Sequence, residues 1–248
     1  MIYLKSESEL ALMRASGILV KQALELAREK IRPGTATSEI DKAVSGFIAK
    51  NNAAASFLGY GGFPKSVCVS IDDEVVHGIP DEKRFLHEGS IVSVDIGVFK
   101  DGFHADAART FAVGRISEEK QKLIAVTEQS FFKGAELVKE GTRLGDIGYA
   151  INAYVESFGY STVKVLVGHG IGRQLHEEPS VPNYGSRGKG LRLSAGMTIA
   201  IEPMINVGTF EVVRKKDGWT YVTKDGKPSA HYENTLAVTL DGCEMLTL

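Results

Sequence analysis

A chain of 248 residues with 43% apolar content is long enough to bury a full core, as one large domain or two small ones. Its formal net charge of −2 excludes the basic bias of a nucleic-acid binder, and its two cysteines, Cys68 and Cys243, form neither a CxxC nor a disulfide framework. The N-terminus MIYLKSESEL has no apolar leader and no stretch approaches about 18 continuous apolar residues, so a soluble, cytoplasmic protein without a membrane span is expected.

Ser6 with Glu9 makes a capping box ahead of Leu10, Met13, Gly17, Val20, Leu24, Ala27 and Ile31. Those spacings of three and four predict a helix with one buried stripe, stopped by Pro33-Gly34. A second helix is predicted from Thr37, with Glu39 and Asp41 in its first turn and Ile40, Val44, Phe47 and Ile48 facing inward. Residues 51–64 read as a loop rich in glycine and aromatics, and Ser66–Ile71 as a strand. A charged loop with His77-Gly78-Ile79-Pro80 leads to Ser90–Phe111, the most informative stretch of the chain. Apolar residues alternate through Ile91, Val92, Val94, Ile96 and Val98, Asp101-Gly102 supplies a turn, and a second run follows. A hairpin with this turn pairs Asp95 with Ala108 and Asp106 with Gly97. Both aspartates then share one face as diagonal neighbours, about 7 Å apart or less at Cβ. Further helices are predicted near 117–139 and 144–158, then strands at Val163–Val167, Met197–Pro203 and His231–Thr239.

The chain contains itself twice. Ile31-Arg32-Pro33-Gly34-Thr35, then Glu39-Ile40 and Ala43-Val44, returns as Val138-Lys139-Glu140-Gly141-Thr142, then Asp146-Ile147 and Ala150-Ile151, each 107 positions later (141 − 34). The same shift carries Gly89–Asp95 onto Gly196–Glu202, and after an insertion His104-Ala105-Asp106 matches His231-Tyr232-Glu233. His-Gly-Ile also occurs in both parts, at His77 and His169. The expected fold is therefore α+β, one catalytic domain spanning 1–248, with two pseudo-two-fold-related halves (about 1–115 and 116–248), a central antiparallel sheet and helices outside.

Duplication turns one acid pair into four carboxylates, Asp95, Asp106, Glu202 and Glu233, with up to two imidazoles. Four negative charges inside a sheet exceed what the 5–15 kcal/mol or so of net folding stability tolerates, whereas two divalent cations about 3.5–4 Å apart neutralise them. Carboxylates and imidazole without thiolate favour Mn, Fe(II), Co or Zn, among which the sequence does not choose. His169, flanked by glycines, is the candidate metal ligand. His77 and His176, in the loops HGIP and LHEEP, are candidates for proton transfer or oxyanion contact. His104 and His231 precede bridging acids and read as partners of the ligands, while His87 reads as surface.

Gly59–Cys68 (GYGGFPKSVC), Val76–Pro80, Asp95 with Asp106, Gly168–Gly172, His176–Pro179, Ile201–Pro203 and Ala230–Thr235 together resemble type I methionine aminopeptidase, over nearly the whole chain. The resemblance implies the pita-bread (creatinase/aminopeptidase) fold and two divalent metal ions. Asp95 would bind one ion, His169 and Glu202 the other, and Asp106 and Glu233 would bridge. It implies that a metal-bound water or hydroxide attacks the carbonyl of an N-terminal methionine whose neighbour is small. Glu202 would handle the proton, His176 stabilise the oxyanion, and His77 contact the scissile amide nitrogen. The matching pocket positions are Tyr60, Phe63, Cys68, Leu166, Leu175 and Trp219. Phe63 stands where tyrosine is common and Gly61 where a histidine can occur. The implied partners are nascent polypeptide N-termini and the ribosome, with no nucleic-acid specificity, no membrane and a monomeric state. Two rivals share the fold: a prolidase or Xaa-Pro aminopeptidase, which usually carries a further N-terminal domain, and a binding module that has lost ligands. All five ligand positions are filled here.

Overall fold

The computed structural model describes residues 2–248. Its first half runs α1 (Glu7–Lys30), α2 (Thr37–Lys50), β1 (Ala54–Ala55), β2 (Val67–Ile71), β3 (Glu74–Val76), β4 (Ile91–Lys100) and β5 (Phe103–Ala112). The second runs α3 (Glu118–Ala135), α4 (Leu144–Glu156), β6 (Ser161–Thr162), β7 (Gly168–Gly170), β8 (Glu177–Val181), β9 (Thr198–Ile201), β10 (Met204–Asn206), β11 (Val212–Arg214), β12 (Tyr221–Thr223), β13 (Ser229–His231), β14 (Asn234–Val238) and β15 (Cys243–Met245).

The predicted capping box closes the start of α1: the Glu9 N–H donates to Ser6 Oγ, and the Ser6 N–H donates to Glu9 Oε2. Val20, Leu24, Ile40 and Val44 of the first helix pair are buried against Val69, Val92 and Val94. Phe131, Ile147 and Ile151 of the second pair are buried against Ile199, Ile201 and Leu236. Each half thus places two helices on one face of its own sheet, leaving the other face for the centre of the molecule.

The repeat is written in hydrogen bonds. Gly34 N–H donates to Leu86 O at 2.8 Å, and Gly141 N–H to Leu193 O at 2.9 Å, both 107 positions on. Leu86 N–H to Thr35 O (2.9 Å) returns as Leu193 N–H to Thr142 O (2.8 Å), and the isolated bridge Ala36 with Phe85 as Arg143 with Arg192. Gly34 and Gly141 both lie at positive φ, +86° and +82°, which is why the turn ahead of each second helix demands glycine.

Every strand pair is antiparallel, as expected. The strands divide into a four-stranded sheet (β1-β4-β2, with β5 on β4), a five-stranded sheet (β15-β14-β9-β7-β8) and two three-stranded ones, β13-β10-β6 and β11-β12-β3. The β4–β5 hairpin has the predicted register, with Asp95 opposite Ala108 and Gly97 opposite Asp106. The equivalent ribbon of the second half is interrupted. β9 pairs with β14 and β10 with β13, but the ladder lapses at Glu202-Pro203 and Tyr232-Glu233, so the two glutamates face each other across the gap. Proline has no N–H to donate there. The Glu233 N–H turns to the first half and donates to Ala108 O at 3.0 Å. The seam is completed by side chains: Thr235 Oγ1 accepts from Asp106 N–H and donates to Asp106 Oδ1, and Thr110 Oγ1 accepts from His231 N–H.

The strand expected at Val163–Val167 is absent. Only Ser161 and Thr162 pair with β10, and Leu166 lies beyond them in irregular chain. Among the described residues no helix is long and apolar enough to cross a membrane.

Candidate metal centre and substrate cavity

The two hairpins and the two His-Gly-Ile segments meet at one cavity. It is lined by Asp95, Asp106, His169, Glu202 and Glu233 on one side and by Phe57, Tyr60, Phe63, Cys68, His77, Leu175, His176 and Trp219 on the other. Asp106, His169 and Glu233 are buried and each offers a ligand atom within 4.8 Å of the others.

His169 decides what this cluster is for. Its Nδ1 lies 2.8 Å from its neighbour's carbonyl, Gly170 O, an oxygen that only accepts, so Nδ1 carries the proton. Nε2 is the ring nitrogen turned to the cavity, and it faces Asp106 Oδ2 at 3.5 Å and Glu202 Oε1 at 3.8 Å. Acceptors aimed at acceptors repel unless a proton or a cation lies between them. Asp95 Oδ1 and His231 Nε2 are buried without a hydrogen-bond partner, and His231 Nε2 stands 3.5 Å from Glu202 Oε2. Glycine on both sides lets the backbone come close enough to aim His169: a Cβ on Gly168 would sit 2.3 Å from Ala200 O, and one on Gly170 2.3 Å from Glu178 O. The donor set of carboxylates and one imidazole, held ready-made, fits divalent cations.

Electrostatics agree with the geometry. Burial raises Glu202 to about 8. Burial followed by repulsion from the neighbouring acids lifts Asp95 and Glu233 well above the carboxylate range, and burial raises Asp106. Burial pushes His77 down to about 4, with His231 and Arg214 adding to the effect. His176 falls to about 3 and His231 to about 3, so both are neutral near pH 7. Cys68, opposite Asp95 in the β2–β4 ladder, has a thiol held well above its usual value by burial and then by Asp95 and Glu233.

The sequence matches Metallopeptidase family M24 across residues 11–240. The chain belongs to this family. It is 52% identical to the methionine aminopeptidase of Clostridium acetobutylicum, with 100% of this chain and 99% of that protein covered. Against that of Escherichia coli it is 44% identical, covering 100% of this chain and 94% of the relative. The crystal structure of a methionine aminopeptidase from Thermotoga maritima superposes with a TM-score of 0.98 at 43% identity, covering 100% of this chain and 99% of that one. A Pyrococcus horikoshii prolidase shares the fold alone: TM-score 0.78, 22% identity, 99% of this chain but 63% of the prolidase. The fold is the pita-bread fold common to these M24 peptidases, with two related halves and helices outside antiparallel sheets.

Of the pocket positions read from the sequence, the structure brings Tyr60, Phe63, Cys68, Leu175 and Trp219 to the cavity, with His77 and His176. Phe63 and Trp219 meet edge to face, ring centroids 5.2 Å apart. Leu166 is not among the lining residues: it packs on Val75, Val76, Val163 and Met204. Phe57 lines the cavity and was missed, because an aromatic in a glycine-rich loop has no period to mark which way it points. His231 lies beside Glu202 as expected. His104 turns away from the acids, pairing through Nδ1 with Ser56 Oγ at 2.9 Å and stacking on Phe99. His87 is exposed.

Proposed function

We propose that this M24 peptidase removes the N-terminal methionine from polypeptides whose second residue is small, using two divalent ions held by Asp95, Asp106, His169, Glu202 and Glu233. The observation that carries the reading is His169 Nε2, turned toward the carboxyl groups of Asp106 and Glu202 with Glu233 close by. Identity of 44–52% to proteins named methionine aminopeptidase along the whole chain supports the substrate class. When bound, the ions supply Lewis acidity and a water made nucleophilic near neutral pH.

The chain's own residues do the rest. Glu202, partly open to the cavity and raised by its surroundings toward neutrality, takes and returns a proton. His176 Nδ1 lies 2.7 Å from the Tyr60 hydroxyl. When that hydroxyl donates to Nδ1, the imidazole proton sits on Nε2, the tautomer needed to donate to an oxyanion. His77, held neutral, contacts the scissile amide nitrogen. Its backbone is at φ +59°, unusual for a residue with a Cβ, and is kept there by a hydrogen bond from Thr220 Oγ1 to His77 O and from Gly78 N–H to Ser70 Oγ. Phe57, Phe63, Cys68, Leu175 and Trp219 offer the apolar, polarisable wall that a thioether prefers.

The whole chain acts as one catalytic unit, monomeric and cytoplasmic, on nascent N-termini close to the ribosome. Cleavage of Met-Gly-Met compared with a Gly-Pro dipeptide, after anaerobic loading with Co, Mn, Fe(II) or Zn, tests the assignment. Metal-dependent release of methionine is expected, and faster cleavage of Gly-Pro overturns it. Co-sedimentation with ribosomes at physiological salt checks the partner.

A further inference from the structure

Lys5, just ahead of α1, and Glu177, on the loop that carries His176, form an ion pair out of reach of solvent. Lys5 Nζ lies 2.5 Å from Glu177 Oε2, with side chains 4% and 6% exposed. Neither residue lines the cavity of the acids; they line a separate hollow with Phe103 and Gln174. We propose that this pair is the positioning element of His176, fixing the loop from which its imidazole reaches the substrate. The inference rests on the role given to His176 above.

The loop is folded around the ammonium group. Glu177 Oε1 accepts from Gln174 N–H at 3.1 Å, so the two carboxylate oxygens hold the loop and the lysine at once. Gly172 closes the other side: a Cβ there would fall 2.4 Å from Lys5 Cε and 2.8 Å from Glu177 Oε1. Gly172 N–H donates to Gln174 O at 3.0 Å, and Gly172 O accepts from His104 N–H at 2.7 Å. Lys5 is anchored in turn, its N–H donating to Gly196 O at 2.7 Å in the turn that leads into β9. β9 ends one residue before Glu202. His176 is therefore the last residue of a tight loop whose closing contact is Lys5. From there its ring packs on His169, centroids 4.2 Å apart, and meets the Tyr60 hydroxyl. A buried carboxylate left without its cation must take a proton or turn outward, and either response drags the adjoining residue with it.

Kinetics of Lys5→Met, loaded with the same metal as the parent, provide the test. The expected result is a kcat lowered by about 10- to 100-fold, the scale of an ångström of misplacement, with KM and metal stoichiometry unchanged and recovery in Lys5→Arg. Combining Lys5→Met with His176→Ala is expected to be no slower than His176→Ala alone. In the metal-free protein the His176 Cε1–H resonance, assigned by its loss in His176→Ala, should move or broaden in Lys5→Met while that of exposed His87 stays. If Lys5→Met does not fold, Lys5→Gln, which keeps a donor for Glu177, takes its place in every comparison. Parental kcat with an unmoved His176 resonance overturns the proposal, as does a double variant whose losses multiply. A His176→Ala variant with parental kcat instead overturns the role of His176, and the resonance alone then decides whether the pair holds the loop.

Discussion

Glu202 follows β9 where the second ribbon breaks, with two imidazoles near it, His169 at 3.8 Å and His231 at 3.5 Å. Replacing its carboxylate by an amide keeps the volume and removes both the charge and the proton carrier that the proposed function assigns to it. Glu202→Gln is expected to abolish turnover, measured as methionine release under saturating metal. His77 touches no acid of the cluster in this way; its ring leans on Tyr221, centroids 6.1 Å apart. His77→Ala should cost about 100-fold or more in kcat, the scale of a lost acid–base or transition-state contact, and leave metal content by elemental analysis unchanged. At this scale the four acids that meet at the cavity could be picked out in the sequence because each sits in a duplicated strand pattern, where an interruption by charge stands out. Leu166 and Phe57 could not be placed that way. Each lies in irregular chain, and whether its side chain meets the cavity depends on distant elements that no local spacing encodes.

Helices and ribbons were legible wherever local rules agreed with burial. The start of α1 follows from Ser6 and Glu9, and the β4–β5 register from a period of two around Asp101-Gly102, both residues at positive φ. The gap in the second ribbon was not legible, since it depends on a partner for the Glu233 N–H that lies in the other half of the molecule. Helix α4 carries a parallel lesson. Gly148 lies in its interior, where alanine has the higher helix propensity, yet a Cβ would meet Tyr184 O at 2.3 Å and Pro182 O at 2.6 Å. Contact with backbone outweighs propensity here, so Gly148→Ala is expected to destabilise the protein by about 1–3 kcal/mol, read from the urea midpoint.

Across the molecule, the cluster links stability to pH and to metal. Glu202 ordinarily titrates near 4.5 and in the fold near 8, and Asp95, Asp106 and Glu233 are raised as well. Between those values the ion-free folded protein retains protons that the unfolded chain has lost, so its stability falls as pH rises. The lowered histidines, His77, His104, His176 and His231, work in the opposite sense, but their contribution is complete once pH passes the ordinary value of 6.5. After chelation the melting temperature should therefore decline from about pH 6.5 to 8, and saturating Mn or Co should remove that decline. A slope of the opposite sign in the chelated protein would show that the carboxyls do not share one buried centre.

The amide of Glu233 donates not to its own ribbon but to Ala108 of the opposite half. The two copies have accordingly ceased to be interchangeable: one carries an unbroken ribbon that offers a carbonyl, the other a severed ribbon that supplies the matching donor. The return contact is of another kind, the Asp106 amide of the first half donating to the Thr235 hydroxyl of the second, so neither copy repeated would reproduce both contacts. Divergence after duplication is thus built into the join itself, and the present enzyme cannot be reduced to either ancestor repeated.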